Sequence, residues 1–518
     1  MNKYTRYLSF ILIIAFSLMP LFFSLPFRIH LDMSWEGAYR LYLGQVPYKD
    51  FGMPIGYGFF IFPLLAFYIF GPTLKALLIS QVILNIITTL TFRSIIKKLG
   101  LNEGRALIAT FVFLLSYSFL YFWPWYNFTA IMFEMLGLYF ILLLSDSDNS
   151  KKNFLYLGGA AFFIFLTFFT KQDYGGLAFI FAFILITYVA WLKKKWIFLP
   201  AFVLFYAVSA ALFILPFINT GFSYWFNLGQ APHNSRLYLY SIIEVIMQGS
   251  QWEKFYLVVL AAVLIKKFSS GSFDIRESKF VIPFLLVTGM IIEALITKST
   301  SGNSLENTTY YHAFGFAFLL VQLPDDFIPQ KIRWIIPAMF VVFIWWSAEY
   351  WKYAGRVFNF RKPVVRGKSI MEASFQGSWT LSNMKTFKGI KLPSETIHGL
   401  ERVHSLPLFS SEKELKVLNL TELTPLALEW KYTPIKGLPL WYHQGVAIFP
   451  KQIDEICNSI TNKEYDLVMF QTIPSLDNFF PNDLRNCLID HYKLKDKFIA
   501  PRKEGDSYIE VYTVPDPE

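Results

Sequence analysis

Carboxylates crowd a short polar stretch that follows the first apolar segment of the chain. It reads His30-Leu31-Asp32-Met33-Ser34-Trp35-Glu36, then Gly44-Gln45-Val46-Pro47-Tyr48-Lys49-Asp50-Phe51. If the run after Asp32 is helical, Asp32 and Glu36 lie one turn apart on one face, flanked by Trp35 and Tyr39. Carboxylates at a membrane surface can take a proton from an acceptor hydroxyl or face a lipid headgroup. The same residues also have structural readings. Asp32 stands where an N-cap would, and Glu36 can pair with Arg40 at i+4. Asp50 is either a second carboxylate of the same site or a solvated loop residue.

Groups that hold an anion must sit on the same side. Lys171, in the connection Thr170-Lys171-Gln172-Asp173, is a phosphate candidate or a snorkelling lysine paired with Asp173. His233 and Arg236 fall in the long loop 219–251, and an Arg can grip phosphate oxygens in a fork. Tyr126 and Asn127 close the run Trp123-Pro124-Trp125-Tyr126-Asn127, which reads as an interfacial aromatic belt or as the lining of a sugar site. Glu134 and Glu293 fall inside apolar segments, where carboxylates are costly and often functional. Glu134, two turns beyond Asn127, is expected to face the helix bundle. Glu293 is expected to reach water near the outer end of its segment. His312 follows Tyr310-Tyr311 near another outer mouth. Asp146-Ser147-Asp148 is an Asp-x-Asp, expected on the opposite side as a solvated loop. No residue is assigned to a metal. A divalent cation is compatible with this chain but has no obvious ligand set.

The elements that position these residues are membrane helices. Of 518 residues, 54% are hydrophobic, 19% aromatic and 16% charged, against about 25% charged in a soluble domain. The net charge of +10 comes without a basic stripe or recognition motif, so nucleic acid is not an expected partner. A helix crosses the bilayer in about 20 residues. Spans are expected near 8–27, 73–96, 105–123, 127–145, 153–170, 174–192, 196–218, 252–268, 280–297, 309–324 and 332–350. The first reads as retained rather than cleaved, with Lys3 and Arg6 on the cytoplasmic side. Tyr57–Gly71 is apolar but short and holds Pro63, and is expected as a juxtamembrane helix. With an inside N-terminus, 17 Lys and Arg fall on the inside and eight on the outside up to the last span. Counting Tyr57–Gly71 as a span would reverse that bias, so the positive-inside rule favours eleven.

The first loop resembles the first extracytoplasmic loop of the GT-C glycosyltransferases, in particular the bacterial O-mannosyltransferase, aminoarabinose transferase and Rgt-like group. The matching features are Asp32 after the first span, a short helix Ala38–Leu43, Gly44, Pro47-Tyr48-Lys49-Asp50, and Pro54 before the apolar Tyr57–Phe70. Where the eukaryotic O-mannosyltransferases carry an Asp-Glu pair, Met33 stands in place of the Glu. The resemblance covers the loop and the span count, about residues 1–350. It implies transfer of a hexose or pentose from a polyprenyl-phosphate donor to a lipid, glycan or protein acceptor. It also implies an integral plasma- or inner-membrane location, with Asp32 as base. Alternatives are a transporter or flippase of lipid-linked glycan, or a surface polysaccharide polymerase or ligase. The first would show paired half-repeats, which are missing. The second would want an outer loop rich in Arg and His, whereas 219–251 holds one of each.

The expected organisation is a transmembrane domain over 1–350, with first outer loop 28–72, and a small extracytoplasmic α/β domain over 355–518. In the latter, Tyr465–Phe470 and Ser507–Tyr512 read as strands, and Lys451–Asn462 and Asn482–Tyr492 as helices. The chain's two cysteines, Cys457 and Cys487, both lie there. They read as a disulfide in an oxidising compartment, or as two buried thiols. Reporter fusions at Lys194 and at Pro363 are expected to report opposite sides of the membrane; a shared side would overturn the eleven-span topology.

Overall fold

In hydrocarbon no water satisfies backbone N–H and C=O groups, so an apolar run becomes a helix that bonds within itself. The fold follows from that rule. In the computed structural model, residues 2–27, 31–53, 55–118, 122–219, 239–300, 308–324, 332–347, 350, 351, 354, 357, 378–410, 413–442, 444, 447–474, 479–502 and 507–515 are described. The helices are α1 (Asn2–Phe22), α2 (Leu31–Tyr42), α3 (Ile61–Phe70), α4 (Leu74–Lys98), α5 (Glu103–Tyr117), α6 (Tyr126–Asp146) and α7 (Ser150–Thr170). They continue as α8 (Gln172–Lys193), α9 (Phe198–Ile214), α10 (Leu239–Glu244), α11 (Gln251–Ser269), α12 (Ser278–Thr300), α13 (His312–Gln322) and α14 (Ile332–Trp345). Polar residues start several of them: the Thr73, Asn102 and Asn149 side chains accept the N–H groups of Ala76, Arg105 and Lys152, as N-caps do.

Each of the eleven expected spans contains a helix; the first ends at Phe22 and the third at Tyr117, short of the expected bounds. Among the described residues, seven helices are long and apolar enough to cross a membrane: α1, α4, α6, α7, α8, α12, and α9 with its continuation to Phe217. The others fall short for separate reasons. Helices α5, α13 and α14 have 15, 11 and 14 residues. Helix α11 has 19 but carries Glu253, Lys254, Lys266 and Lys267. Tyr57–Phe70 is a short apolar helix, a 3-10 turn leading into α3. Side chains such as Leu204, Leu212, Val258 and Phe340 remain exposed. In water such a surface would aggregate; in a bilayer it faces lipid.

Basic residues gather at one end of the bundle and hold acids there. Arg93 bonds Glu103, Lys97 lies 3.1 Å from Glu103, Lys98 lies 2.5 Å from Asp146, and Lys193 lies 3.5 Å from Asp148. The Asp-x-Asp is therefore a pair of lysine partners.

The C-terminal region adds a mixed four-stranded sheet of β5 (Val417–Leu420), β7 (Leu467–Thr472), β9 (Tyr508–Thr513) and β8 (Lys493–Ile499), in the order β5-β7-β9-β8. Helices α15 (Ser394–His404), α16 (Pro450–Thr461) and α17 (Asn482–His491) accompany it. Two further small sheets join the C-terminal region to residues just before and within the first loop. β1 (Leu25–Pro26) pairs with β4 (Ile390–Pro393), which also pairs with β3 (Trp379–Leu381). β2 (Phe51–Gly52) pairs with β6 (Leu438–Pro439). The C-terminal region is thus stitched to the first loop by main-chain hydrogen bonds, a coupling that the sequence pattern does not suggest.

Cys457 on α16 and Cys487 on α17 form a disulfide, with Cα atoms 5.7 Å apart. The bridge closes a loop with a sequence separation of 30, for which the chain-entropy account gives about 3.6 kcal/mol. Labelling of the denatured, unreduced chain is expected to find no free thiol, and reduction to lower the melting temperature; two labelled thiols before reduction would exclude the bridge.

Candidate functional site

Helix α2 carries Asp32 and Glu36 and is fixed on three sides. The Trp35 indole N–H donates to the Pro72 carbonyl at 3.0 Å, and the ring stacks on Tyr39 at 4.5 Å. Gly37 lies against the Phe60 ring, where a Cβ would approach to 2.3 Å. Arg40 is buried, 2% exposed. Its guanidinium donates to Glu36 at 2.8 Å, to Gln45 Oε1 at 2.9 Å and to the Ile435 carbonyl at 2.8 Å. Gln45 in turn donates to the Pro434 carbonyl at 2.8 Å. The described helix runs from Leu31 and places Asp32 one turn before Glu36; the Asp32 side chain lies outside what is described.

The rest of the loop follows from its turn residues. Gly44, at φ +78°, ends α2 with Gln45 N–H bonded to the Arg40 carbonyl at 2.9 Å, a Schellman-type stop. Val46–Asp50 then close on themselves. The Asp50 carboxylate accepts the Val46 N–H at 2.8 Å and faces Lys436 Nζ at 3.4 Å. The Val46 N–H, with help from the Lys436 ammonium against the cost of burial, holds the Asp50 carboxyl below the usual range. Tyr48 sits at φ +65° and donates to the Ile55 carbonyl at 3.1 Å. The Asp50 side chain is thus engaged within the turn and by Lys436, rather than solvated.

A cavity of about 20 Å³ lies beside Glu36 and Arg40, lined also by Asn419, Tyr432 and Tyr442. It has room for about one water molecule and none for a sugar ring. Burial pushes the Tyr432 and Tyr442 hydroxyls up, and the Glu36 charge adds to it. These tyrosines escaped the sequence reading because they reach the loop across almost 400 positions.

A second cluster forms where α7 turns into α8. Lys171 is extended between the two helices, its Nζ 2.9 Å from Asp173 and over the rings of Tyr174 at 4.5 Å and Tyr126 at 5.7 Å. The pairing with Asp173 matches the structural reading of that lysine. Tyr126 opens α6 and packs on Trp125. Asn127 is fully buried, and among the described residues neither amide atom has a hydrogen-bond partner. The first loop reaches this cluster through Tyr57–Phe60: Tyr57 packs on Phe169 at 4.4 Å and Phe59 on Tyr126 at 6.1 Å. Gly56 is required there, since a Cβ would lie 1.7 Å from the Phe169 carbonyl oxygen. The structure therefore brings Glu36 and Asp50 to the 434–438 segment, and Lys171, Tyr126 and Asn127 to one turn, with Tyr57–Phe60 between the groups. His30, His233 and Arg236 lie outside the described residues.

Two acids depart from expectation or were missed. Glu293 does not reach water: it is 3% exposed and faces the fully buried Glu134. Glu253, fully buried on α11, pairs with Lys298 at 3.4 Å. Lys298 also donates to the Gly249 carbonyl at 2.6 Å. His312 stacks on Trp252 at 3.7 Å. Among the described residues, no group of three or more His, Cys, Asp or Glu is arranged to hold a metal.

No family model matches the chain, and no curated protein matches it in sequence. Among solved structures, the chain is similar to the crystal structure of the Archaeoglobus fulgidus oligosaccharyltransferase in complex with Zn and sulfate. The TM-score is 0.43 at 10% identity, over 93% of this chain and 71% of that one.

Arg40→Ala is expected to cost about 3–5 kcal/mol, because it leaves Glu36 and two acceptors unpaired in a buried place. Glu36→Gln is expected to cost less, since an amide oxygen still accepts. Melting curves of the purified variants check the order; equal curves for Arg40→Ala and the parent would remove Arg40 as the anchor.

Proposed function

We propose that the chain is an integral-membrane glycosyltransferase of the GT-C type. It moves a hexose or pentose from a polyprenyl-phosphate donor to a lipid, glycan or protein acceptor on the extracytoplasmic face. The supporting observation is the convergence at one end of the bundle. A helix bearing Asp32 is held rigidly by Arg40 and Gly37, and its loop packs through Gly56 and Tyr57 on the turn that carries Lys171. The likeness of the first loop to that family supports the same reading.

A sugar phosphate already carries a good leaving group. The enzyme must supply a base for the acceptor hydroxyl and positive charge for the departing phosphate. In this reading Asp32 takes the proton from the acceptor oxygen as that oxygen attacks the anomeric carbon. The bond to the phosphate oxygen breaks, and Lys171 neutralises the released phosphate, with the donor taking the place of Asp173 beside the ammonium. Tyr126 and Asn127 line the sugar, and His233 and Arg236 are further phosphate candidates. Glu36 and Asp50 act as positioning residues: one holds Arg40 and the other closes the turn against Lys436.

The test is transfer by the purified full chain from defined polyprenyl-phosphate sugars. Asp32→Asn keeps the shape and removes the proton acceptor, and is expected to lower turnover by about 10²–10⁴ with an unchanged melting curve. Lys171→Ala is expected to raise KM for the donor more than for the acceptor. Parent-like turnover in Asp32→Asn removes that residue from the mechanism, and an unchanged donor KM leaves Lys171 a structural partner of Asp173.

A further inference from the structure

Helix α6 and helix α12 each bring one carboxylate into the bundle interior, at Glu134 and Glu293. The side chains are 0% and 3% exposed. The two carboxyls face each other, and the Tyr311 hydroxyl faces Glu293. Glu134 and Tyr311 both approach Glu293, but among the described residues none of the carboxyl oxygens nor the Tyr311 hydroxyl meets the distance and angle of a full hydrogen bond. Tyr311 is itself fully buried.

Among the described residues, the other buried acids have cationic partners. Glu253 has Lys298, and Glu422, in the C-terminal region, receives two hydrogen bonds from Arg502 at 2.8 Å. Outside the pair, the charges that act on Glu293 are those of Asp173 and Lys171, which form an ion pair at 2.9 Å. An uncompensated like-charged pair in an apolar interior is too costly to persist. One shared proton and the Tyr311 hydroxyl would satisfy two contacts to Glu293 and leave the remaining carboxyl oxygens unmet. A cation of charge two balances both carboxylates and takes all of these oxygens as ligands. A donor set made only of oxygen suits a hard ion such as Mg²⁺, Mn²⁺ or Ca²⁺. Asn127 lies on the same helix, seven positions and so about 10 Å before Glu134. Its amide has no hydrogen-bond partner among the described residues.

We propose that Glu134, Glu293 and Tyr311 form an intramembrane binding site for one hard divalent cation. The site is separate from the first-loop carboxylates, and the inference does not rest on the glycosyltransferase reading.

The experiment titrates Mn²⁺ into the chelator-stripped full chain in detergent, following free Mn²⁺ by electron paramagnetic resonance and melting temperature in parallel. One Mn²⁺ per chain and a Mn²⁺-dependent rise in melting temperature are expected. Glu134→Gln with Glu293→Gln should abolish both, and Tyr311→Phe should weaken binding about tenfold or more, in the range typical of supporting groups at metal sites. Asp146→Asn with Asp148→Asn, at the lysine-rich end, should leave binding unchanged. A parent that binds no Mn²⁺ overturns the proposal and leaves a proton-sharing pair. Parent-like binding by the double glutamine variant overturns it as well. If that variant fails to fold, Tyr311→Phe and the parent's thermal response decide: parent-like affinity in Tyr311→Phe, or no thermal response in the parent, counts against the site.

Discussion

Burial of the Arg40 guanidinium is the constraint on which the rest of the first loop depends. A guanidinium is always charged and offers five N–H donors, so it cannot be buried without acceptors around it. Glu36 supplies one from the preceding turn, Gln45 one from beyond the helix end, and the Ile435 carbonyl one from the C-terminal region. Satisfying one side chain thereby fixes the pitch of α2, the exit of the chain at Gly44 and the seat of residues 434–438. The two-residue strands β1 and β2 could not hold that arrangement by themselves. They extend it, since Gly437 N–H bonds the Asp50 carbonyl at 2.7 Å and Leu440 N–H bonds Gly52 at 2.9 Å.

The same demand for compensation sorts the acids of the bundle. At the lysine-rich end, Glu103, Asp146 and Asp148 meet cations close to the helix ends. Glu253 is deeper, and Lys298 reaches it from α12. Glu134 and Glu293 instead meet each other. Two like charges in a medium of low dielectric interact strongly, so this place differs in kind from the ion pairs and is where a positive partner has most to contribute.

Close approach of backbone sets how the loop meets the bundle. Gly56 lets the chain touch the end of α7. Gly175 does the same within the α7–α8 turn, where a Cβ would lie 1.9 Å from the Phe168 Cα. Lys171 sits between these two contacts, so its position is determined by packing on both sides and its ammonium is confined among Asp173, Tyr126 and Tyr174.

What the sequence determined by itself is the part governed by local physics. Apolar runs of span length have one stable form in lipid, so every expected span contains a helix. A short apolar run placed the strand Leu467–Thr472, alternation the strand Tyr508–Thr513 and helical spacing the helix Pro450–Thr461, each within a residue or two. The Glu36–Arg40 pair follows from i+4 spacing. What only the tertiary structure decided involves partners far apart in the chain. Asp50 meets Lys436, Leu25 pairs with Ile390, and Glu134 faces Glu293 across two helices. A strand of two residues has no period to read, and a carboxylate near the end of an apolar segment looks the same whether it turns to water or inward. That choice is made by the packing of neighbouring helices, which the order of residues along one helix does not contain.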